Sequence, residues 1–416
     1  MNRFKRTAFL LIAALASLGL LVSASAQQVS IPDPGLNAAI REALQKPSGP
    51  LTEQDLLSLT TLHACCRNIT NTQGLEAARN LVDLDLDSNL LTDFVLPNGL
   101  TNLIALSLFG NQLTNFVLPG QLTNLKQLDL FNNLLTSFGL PGGFTNLVLL
   151  DVGFNSLTQC SLPGGLTNLG TLFLEGNLLT NFTLPTDLIG LTNLDLAANG
   201  LSYFEFPPDA TNLVNVLMFA NQLTNVTFPA NLGRLNNLAL DFNQLSSLVL
   251  PAGLTNLTRL TLDDNQLTNL TLPPGLAQLS FLDVRDNQFV NLTLLPDLKN
   301  LTSLFVDGSP LLSVVLSESL AATNLAETVA TLRNQGVVVF IYPLTIQIVA
   351  LRSIEEGFQF AIEGPPGVYA VLGSTDLTVW SELATATNTL GFVRFSDPTS
   401  RLSAQKFYRA LSSSLQ

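Results

Sequence analysis

Leucines recur along this chain in the frame L-x-x-L-x-L-x-x-N, as in Leu125, Leu128, Leu130 and Asn133, and the frame returns every 22 residues. Asparagine stands at 89, 111, 133, 155, 177, 199, 221, 243, 265 and 287. Ser309 takes the next place and Arg67 the place before Asn89. The L-x-L core alternates apolar and polar residues with period two, which predicts a short strand with its leucines turned inward. The asparagine then turns the chain, and its buried amide can satisfy backbone groups of its own and adjacent coils. A second apolar stretch follows, such as Phe116, Leu118 and Pro119, with proline at 97, 119, 141, 163, 185, 207, 229, 251 and 273. Proline in every coil argues against a regular helix there and predicts short extended or irregular segments. No coil can bury its apolar face alone, whereas stacking twelve of them over 59–317 makes one continuous core.

This frame resembles the leucine-rich repeat, over about 260 residues. The resemblance implies a solenoid, horseshoe or arc, with a parallel β-sheet on its concave face and the proline-bearing segments on its convex side. Residues 27–58 read as a helical cap. Asp33 is placed to cap a helix with Pro34 at its first position, and Leu51 to Leu56 supplies a second short turn. That cap is similar to the N-terminal cap of internalin-like exported bacterial repeat proteins, although the F-x-L-P segment differs from the short helical turn usual there. At the other end, 318–343 reads as a closing cap: an amphipathic helix from Glu318 to Asn334, then a strand from Val337 to Ile341.

The period stops after Pro343. Thr345–Leu351, Gly357–Ile362, Gly367–Leu372, Thr378–Leu383, Gly391–Phe395 and Gln405–Leu411 alternate apolar and polar residues between turn residues. They predict a small β-sandwich over 344–416. The phrases around Tyr369 to Trp380 and Phe407 to Leu411 resemble a C-terminal β-domain of exported bacterial proteins. Tyr369, Trp380 and Tyr408 are expected to pack its core, since such rings supply much of a small domain's buried area.

Composition sharpens this picture. Charged residues are 12% of the chain, about half the roughly 25% usual for soluble domains, and the mean hydropathy is +0.37. Yet no apolar run beyond the N-terminus approaches the ~20 residues of a spanning helix. Arg3, Lys5 and Arg6 precede an apolar stretch from Ala8 to Val22 and the small residues Ala24, Ser25 and Ala26. This is the form of a signal peptide over 1–26, cleaved after Ala26, and it predicts a secreted or cell-surface protein with no transmembrane segment. Its removal leaves 15 basic against 31 acidic residues. That balance argues against nucleic acid as a partner.

Chemistry is sparse. With His63 as the one histidine, no Ser-His-Asp arrangement is available, and no glycine-rich phosphate loop opens a helix. His63, Cys65 and Cys66 crowd three metal-capable residues into four positions, which is not a finger spacing. Three cysteines do not make a disulfide framework. Cys160 lies several coils from the adjacent pair at a core position, and a Cys65–Cys66 bridge demands strict geometry. No cofactor is expected, and the chain is read as a non-enzyme.

The variable outward positions of the strand are the candidate site. They carry Asp85, Asp87, Asp129, Asp151, Glu175, Asp195, Asp241, Asp263, Asp283 and Asp307, interleaved with Phe109, Phe131, Phe173, Phe219 and Phe305. Exposed phenylalanine contributes nothing to the core, so its recurrence on one face suggests a binding surface. Stacked carboxylates repel unless something cationic compensates. The expectation is an exported protein that binds another protein with a basic surface along this face. The alternatives are a solvated acidic face, an adhesive envelope component attached through the C-terminal domain, and a polysaccharide-binding module.

Overall fold

The structure, a computed structural model, describes residues 27–354, 357–402 and 404–413. The stretch read above as a signal peptide, 1–26, lies outside the described residues. The described chain forms two compact units, one up to Leu135 and one from Thr136.

In the first unit, helix α1 (Pro34–Ala43) starts as the sequence predicts, with Pro34 in the first turn and Asp33 as its cap. One Asp33 oxygen accepts from the Leu36 amide at 3.0 Å, and the other accepts from the amides of Thr70 at 2.9 Å and Asn71 at 3.2 Å. The same carboxylate thus ends a helix and ties it to the first coil. Burial alone would raise its pKa, but these amide donors outweigh it and hold the pKa below the usual range. Helix α2 (Glu53–Leu56) carries a reciprocal capping box between Thr52 and Asp55. Strands Thr61–His63, Asp83–Asp85, Ala105–Ser107 and Gln127–Asp129 follow. They pair in parallel with a constant 22-residue register, so Leu62, Leu84, Leu106 and Leu128 stand in line and buried.

The second unit continues the same frame through eight parallel strands, from Leu149–Asp151 to Ser303–Phe305. Leu150, Leu172, Leu194, Val216, Leu238, Leu260, Leu282 and Leu304 form its buried row. The proline-bearing segments are extended, as the prolines require. Several pair as short parallel strands, including Ser137–Gly139 with Gln159–Ser161 and Tyr203–Glu205 with Asn225–Thr227.

The asparagines form the expected ladder. Asn111 Nδ2 donates to the carbonyls of Leu86 in the preceding coil and Leu108 in its own, both at 3.0 Å. Its Oδ1 accepts from the Leu91 amide at 3.2 Å. Asn177, Asn221, Asn243, Asn265 and Asn287 repeat this arrangement. One carboxamide per coil therefore serves both ends of a turn whose backbone would otherwise be buried without partners.

Two expectations need correction, and the state of the Cys65–Cys66 pair, open from the sequence, is answered. The predicted helix from Glu318 to Asn334 is two helices, α3 (Glu318–Ala322) and α4 (Ala326–Asn334), because the chain turns between them to bury Leu325. The strand expected at Thr378–Leu383 is displaced to Ser381–Asn388. Asp376 accepts from the amides of Thr378 at 2.8 Å and Val379 at 2.9 Å, which winds those residues into a turn. Finally, Cys65 and Cys66 are joined to each other in the exposed turn of the first coil.

Strand Ser313–Ser317 pairs in parallel with both Asn291–Thr293 and Val338–Tyr342 beyond the repeats. The Tyr342 hydroxyl, fully buried, donates to the Leu294 carbonyl at 2.7 Å. The C-terminal region then forms two three-stranded antiparallel sheets, the small β-domain read from the alternation. Phe360, Ile362, Tyr369, Val371 and Ala386 make its core, with Tyr408 packed against it. Trp380, expected in this core, is instead half-buried outside it, because the Asp376 turn holds it ahead of the strand that begins at Ser381. No helix among the described residues is long and apolar enough to cross a membrane.

Candidate functional site

Positions on the open face of each sheet are most simply counted back from the ladder asparagine. Residues at −3 and −5 point inward, and those at −2, −4 and −6 point outward, as alternation along a strand requires. The residue at −1 has a different constraint. Its φ is positive in every coil from Ser88 to Gly308, between 47° and 79°. Glycine, asparagine, aspartate, alanine and serine fill most of these places, and no β-branched residue occurs there. Two places hold phenylalanine, Phe154 and Phe242, whose rings stand 53% and 52% exposed.

Most predicted carboxylates have a backbone partner. Asp85, Asp129, Asp151, Asp195 and Asp283, all at −4, each accept from the amide two residues ahead, at 2.9 to 3.2 Å. Two coils have a hydroxyl at −4 instead, Ser107 and Thr261. There the −2 aspartate of the preceding coil takes over. Asp87 accepts from the Phe109 amide at 3.0 Å and from the Ser107 hydroxyl. Asp241 accepts from the Asp263 amide at 3.1 Å and from the Thr261 hydroxyl. Much of the acidic repetition therefore satisfies strand-end amides, a structural task that the sequence reading missed. The signal was available in the coupling of Ser107 to Asp87 and of Thr261 to Asp241.

This crowding shifts the carboxyl groups. Burial raises the pKa of Asp87, Asp129, Glu175 and Asp195, with neighbouring carboxylates adding to the effect at Asp87 and Glu175. Asp263 is pushed up to about 6 by burial and then by its hydrogen bond and repulsion with Asp241. Asp307 is exposed and accepts from Gln335 at 3.3 Å.

The aromatic positions divide by unit. In the first, Phe109 and Phe131 stack with ring centres 5.4 Å apart and planes 12° from parallel, each half-buried. In the second, Phe173 is half-buried, while Phe219 and Phe305 are 37% and 38% exposed. Phe281, at −6 and outside the predicted set, lies 5.3 Å from Phe305. Two arginines lie over these rings: Arg259 at 3.7 Å from the Phe281 centre and Arg285 at 5.3 Å from that of Phe305. The second unit thus brings Phe281, Phe305, Asp283 and Arg285 into one cluster, with Phe219 and Phe242 on coils nearer its start.

Two stretches of the chain match known repeat families. Residues 101–142 match leucine-rich repeats in two copies, and 195–294 match the BspA type leucine-rich repeat region in six copies. No curated protein matches the chain. An internalin (InlF) from Listeria monocytogenes is similar in structure at 23% identity, with a TM-score of 0.51. The match covers 71% of this chain and 94% of that one. The functional domain of InlJ from the same organism, which includes a cysteine ladder, is also 23% identical with a TM-score of 0.50. That match covers 68% of this chain and 63% of InlJ's. At this identity the likeness concerns the fold. With the 22-residue frame, the parallel sheets and the asparagine ladder, it makes the fold a leucine-rich repeat solenoid, similar to that of the internalins.

Proposed function

We propose that this chain is a non-enzymatic binding protein that holds a partner protein with a basic surface on the open face of its repeat sheets. The observation that carries this reading is the exposure of Phe219, Phe242 and Phe305 along the strands and turns of the second unit. Apolar rings left open to water on short, hydrogen-bonded strands lower solubility without adding to the core, and such surfaces mark interaction sites. The rings would be anchors buried on docking. The carboxylates around them, on a chain with 31 acidic and 18 basic residues, steer and select a basic partner. The basic, apolar and small-residue order of residues 1–26, the form of a signal peptide, supports binding outside the cytoplasm.

The test is a pull-down from the native environment with residues 27–416, followed by affinity measurement on the captured protein. Replacing Phe219 and Phe305 together with serine is expected to abolish capture while leaving the far-ultraviolet dichroism unchanged. Undiminished affinity of that folded variant would sink the proposal. Capture of a glycan and no protein would favour the polysaccharide reading instead.

A further inference from the structure

Near the C-terminal end of the repeats the chain fills a slot on its own sheet face. Arg285, at −2, donates from Nε to Asp283 Oδ1 at 2.9 Å and from Nη2 to Asp283 Oδ2 at 2.6 Å. Its guanidinium also lies 5.3 Å from the ring centre of Phe305. Asp283 and Phe305 are direct strand partners at −4 of adjacent coils. The slot therefore consists of a carboxylate, an aromatic ring one coil on, and a planar cation held by both.

The same acid and ring recur once more in the second unit. Asp151 and Phe173 are direct strand partners at −4 of adjacent coils, in the register of Asp283 and Phe305. The −2 residue that would supply the cation is Gly153. Its place is approached instead by Glu175 from the following coil, whose carboxylate lies within 3 Å of where a Gly153 Cβ would stand. Glu175 Oε2 is shut off from solvent and has no hydrogen-bond partner. The carboxylate is half-buried and takes its own backbone amide, so this one oxygen is what stays unsatisfied, and a cation at this point would offset the cost of burying it. The floor is small around it, with Gly176, Ala197 and Ala198 on the next two coils, and the exposed Phe154 ring lies against Gly176.

We propose that the Asp151–Gly153–Phe173 step, with Glu175, receives an arginine side chain of the partner protein. This deepens the protein-binding reading and rests on it. The incoming guanidinium would take the position that Arg285 takes in its own coil, paired with Asp151 and Glu175 and lying over Phe173. A planar fork suits this arrangement better than the point charge of a lysine ammonium.

A dye-labelled, terminally blocked tri-arginine peptide, with its tri-lysine counterpart, tests the slot by fluorescence anisotropy on the 27–416 chain. Glu175→Gln is expected to weaken tri-arginine binding about tenfold, the scale of one lost charge-assisted bond. Glu327→Gln, an exposed carboxylate on α4, removes the same charge elsewhere and is expected to leave affinity within about twofold. Gly153→Arg supplies the cation in cis and is expected to abolish binding. Gly153 is outside the left-handed region and the group it meets is the mobile end of Glu175, so the variant has room to fold. Equal weakening by Glu175→Gln and Glu327→Gln, or equal affinity for the two peptides, overturns the proposal. Loss of the native partner on replacing Phe219 and Phe305, with no effect of Glu175→Gln, would overturn the slot alone. If neither change mattered, the binding reading itself would fall.

Discussion

Asn243 Nδ2 donates to the carbonyl oxygen of Met218, 25 residues earlier and one coil back, at 3.0 Å. The same nitrogen serves the Leu240 carbonyl at 3.0 Å, and Asn243 Oδ1 takes the Leu223 amide at 3.0 Å. Asn243→Leu keeps a similar volume and orphans three buried backbone groups. A loss of about 3 kcal/mol is expected, since each orphaned group costs about 1–3 kcal/mol and relaxation recovers part. Hydrogen exchange should show the amide of Leu223 opening before those of distant coils, because repeat units depend on their neighbours.

Phe242 holds φ at 53°. Phe242→Gly relieves a left-handed non-glycine residue and is expected to stabilise by about 1 kcal/mol in urea unfolding. Phe242→Val puts a branched Cβ in the same place and is expected to destabilise by about that amount. Equal midpoints for the two variants would show that the ladder turn does not constrain this position.

The Asp241–Asp263 pair gives stability a pH dependence of definite sign. The folded-state pKa of Asp263 is raised to about 6 from an ordinary value near 3.8, by burial first and Asp241 second, with Asp283 adding repulsion and Arg285 opposing it. Between those two pH values the folded chain binds the extra proton, so this group's contribution falls as pH rises through about 6. Asp263→Asn is expected to raise the urea midpoint at pH 8 and to lose that advantage by pH 4. An equal gain at both values would remove Asp263 as its cause.

Cys66 has φ of 64°, inside the range of the equivalent residue in every later coil, so the repeat sets this turn independently of the bond to Cys65. Reduction is expected to leave the dichroism unchanged and to free two thiols that alkylate quickly. Cys160, paired with Phe138 on the proline-bearing side and with its thiol pushed up to about 12 by burial, is expected to react last. Mass spectrometry of the alkylated peptides reads the order.

The scaffold was legible because one frame is written many times. Leu106, Leu108 and Asn111 recur at fixed spacing, and period two with a buried amide admits few other architectures. The helix cap at Asp33 was legible for a local reason, since a capping carboxylate and a first-turn proline sit side by side in sequence. The outward residues were harder. Asp129 and Asp195 look like free charge in sequence, yet each answers an amide two residues on, and that pairing depends on how the strand end folds. Phe154 and Phe242 escaped because they lie one place beyond the alternating strand, where the backbone turns left-handed. The stacking of Arg285 on Phe305 depends on two coils meeting, which the identity of neither residue announces. Likewise, Thr378 and Val379 alternate like strand residues, and Asp376 overrides that preference through two amide bonds.

The ladder also bears on how such a gene can change. Each asparagine amide serves backbone groups present in every coil, so one unit of 22 codons can be lost or duplicated by unequal recombination without leaving a buried donor behind. Gly153 and Glu175 are not interchangeable in this way. Loss of the Glu175 coil would preserve the solenoid and remove the carboxylate that lies over Gly153, so a lineage could shed the proposed arginine slot in a single event and still fold.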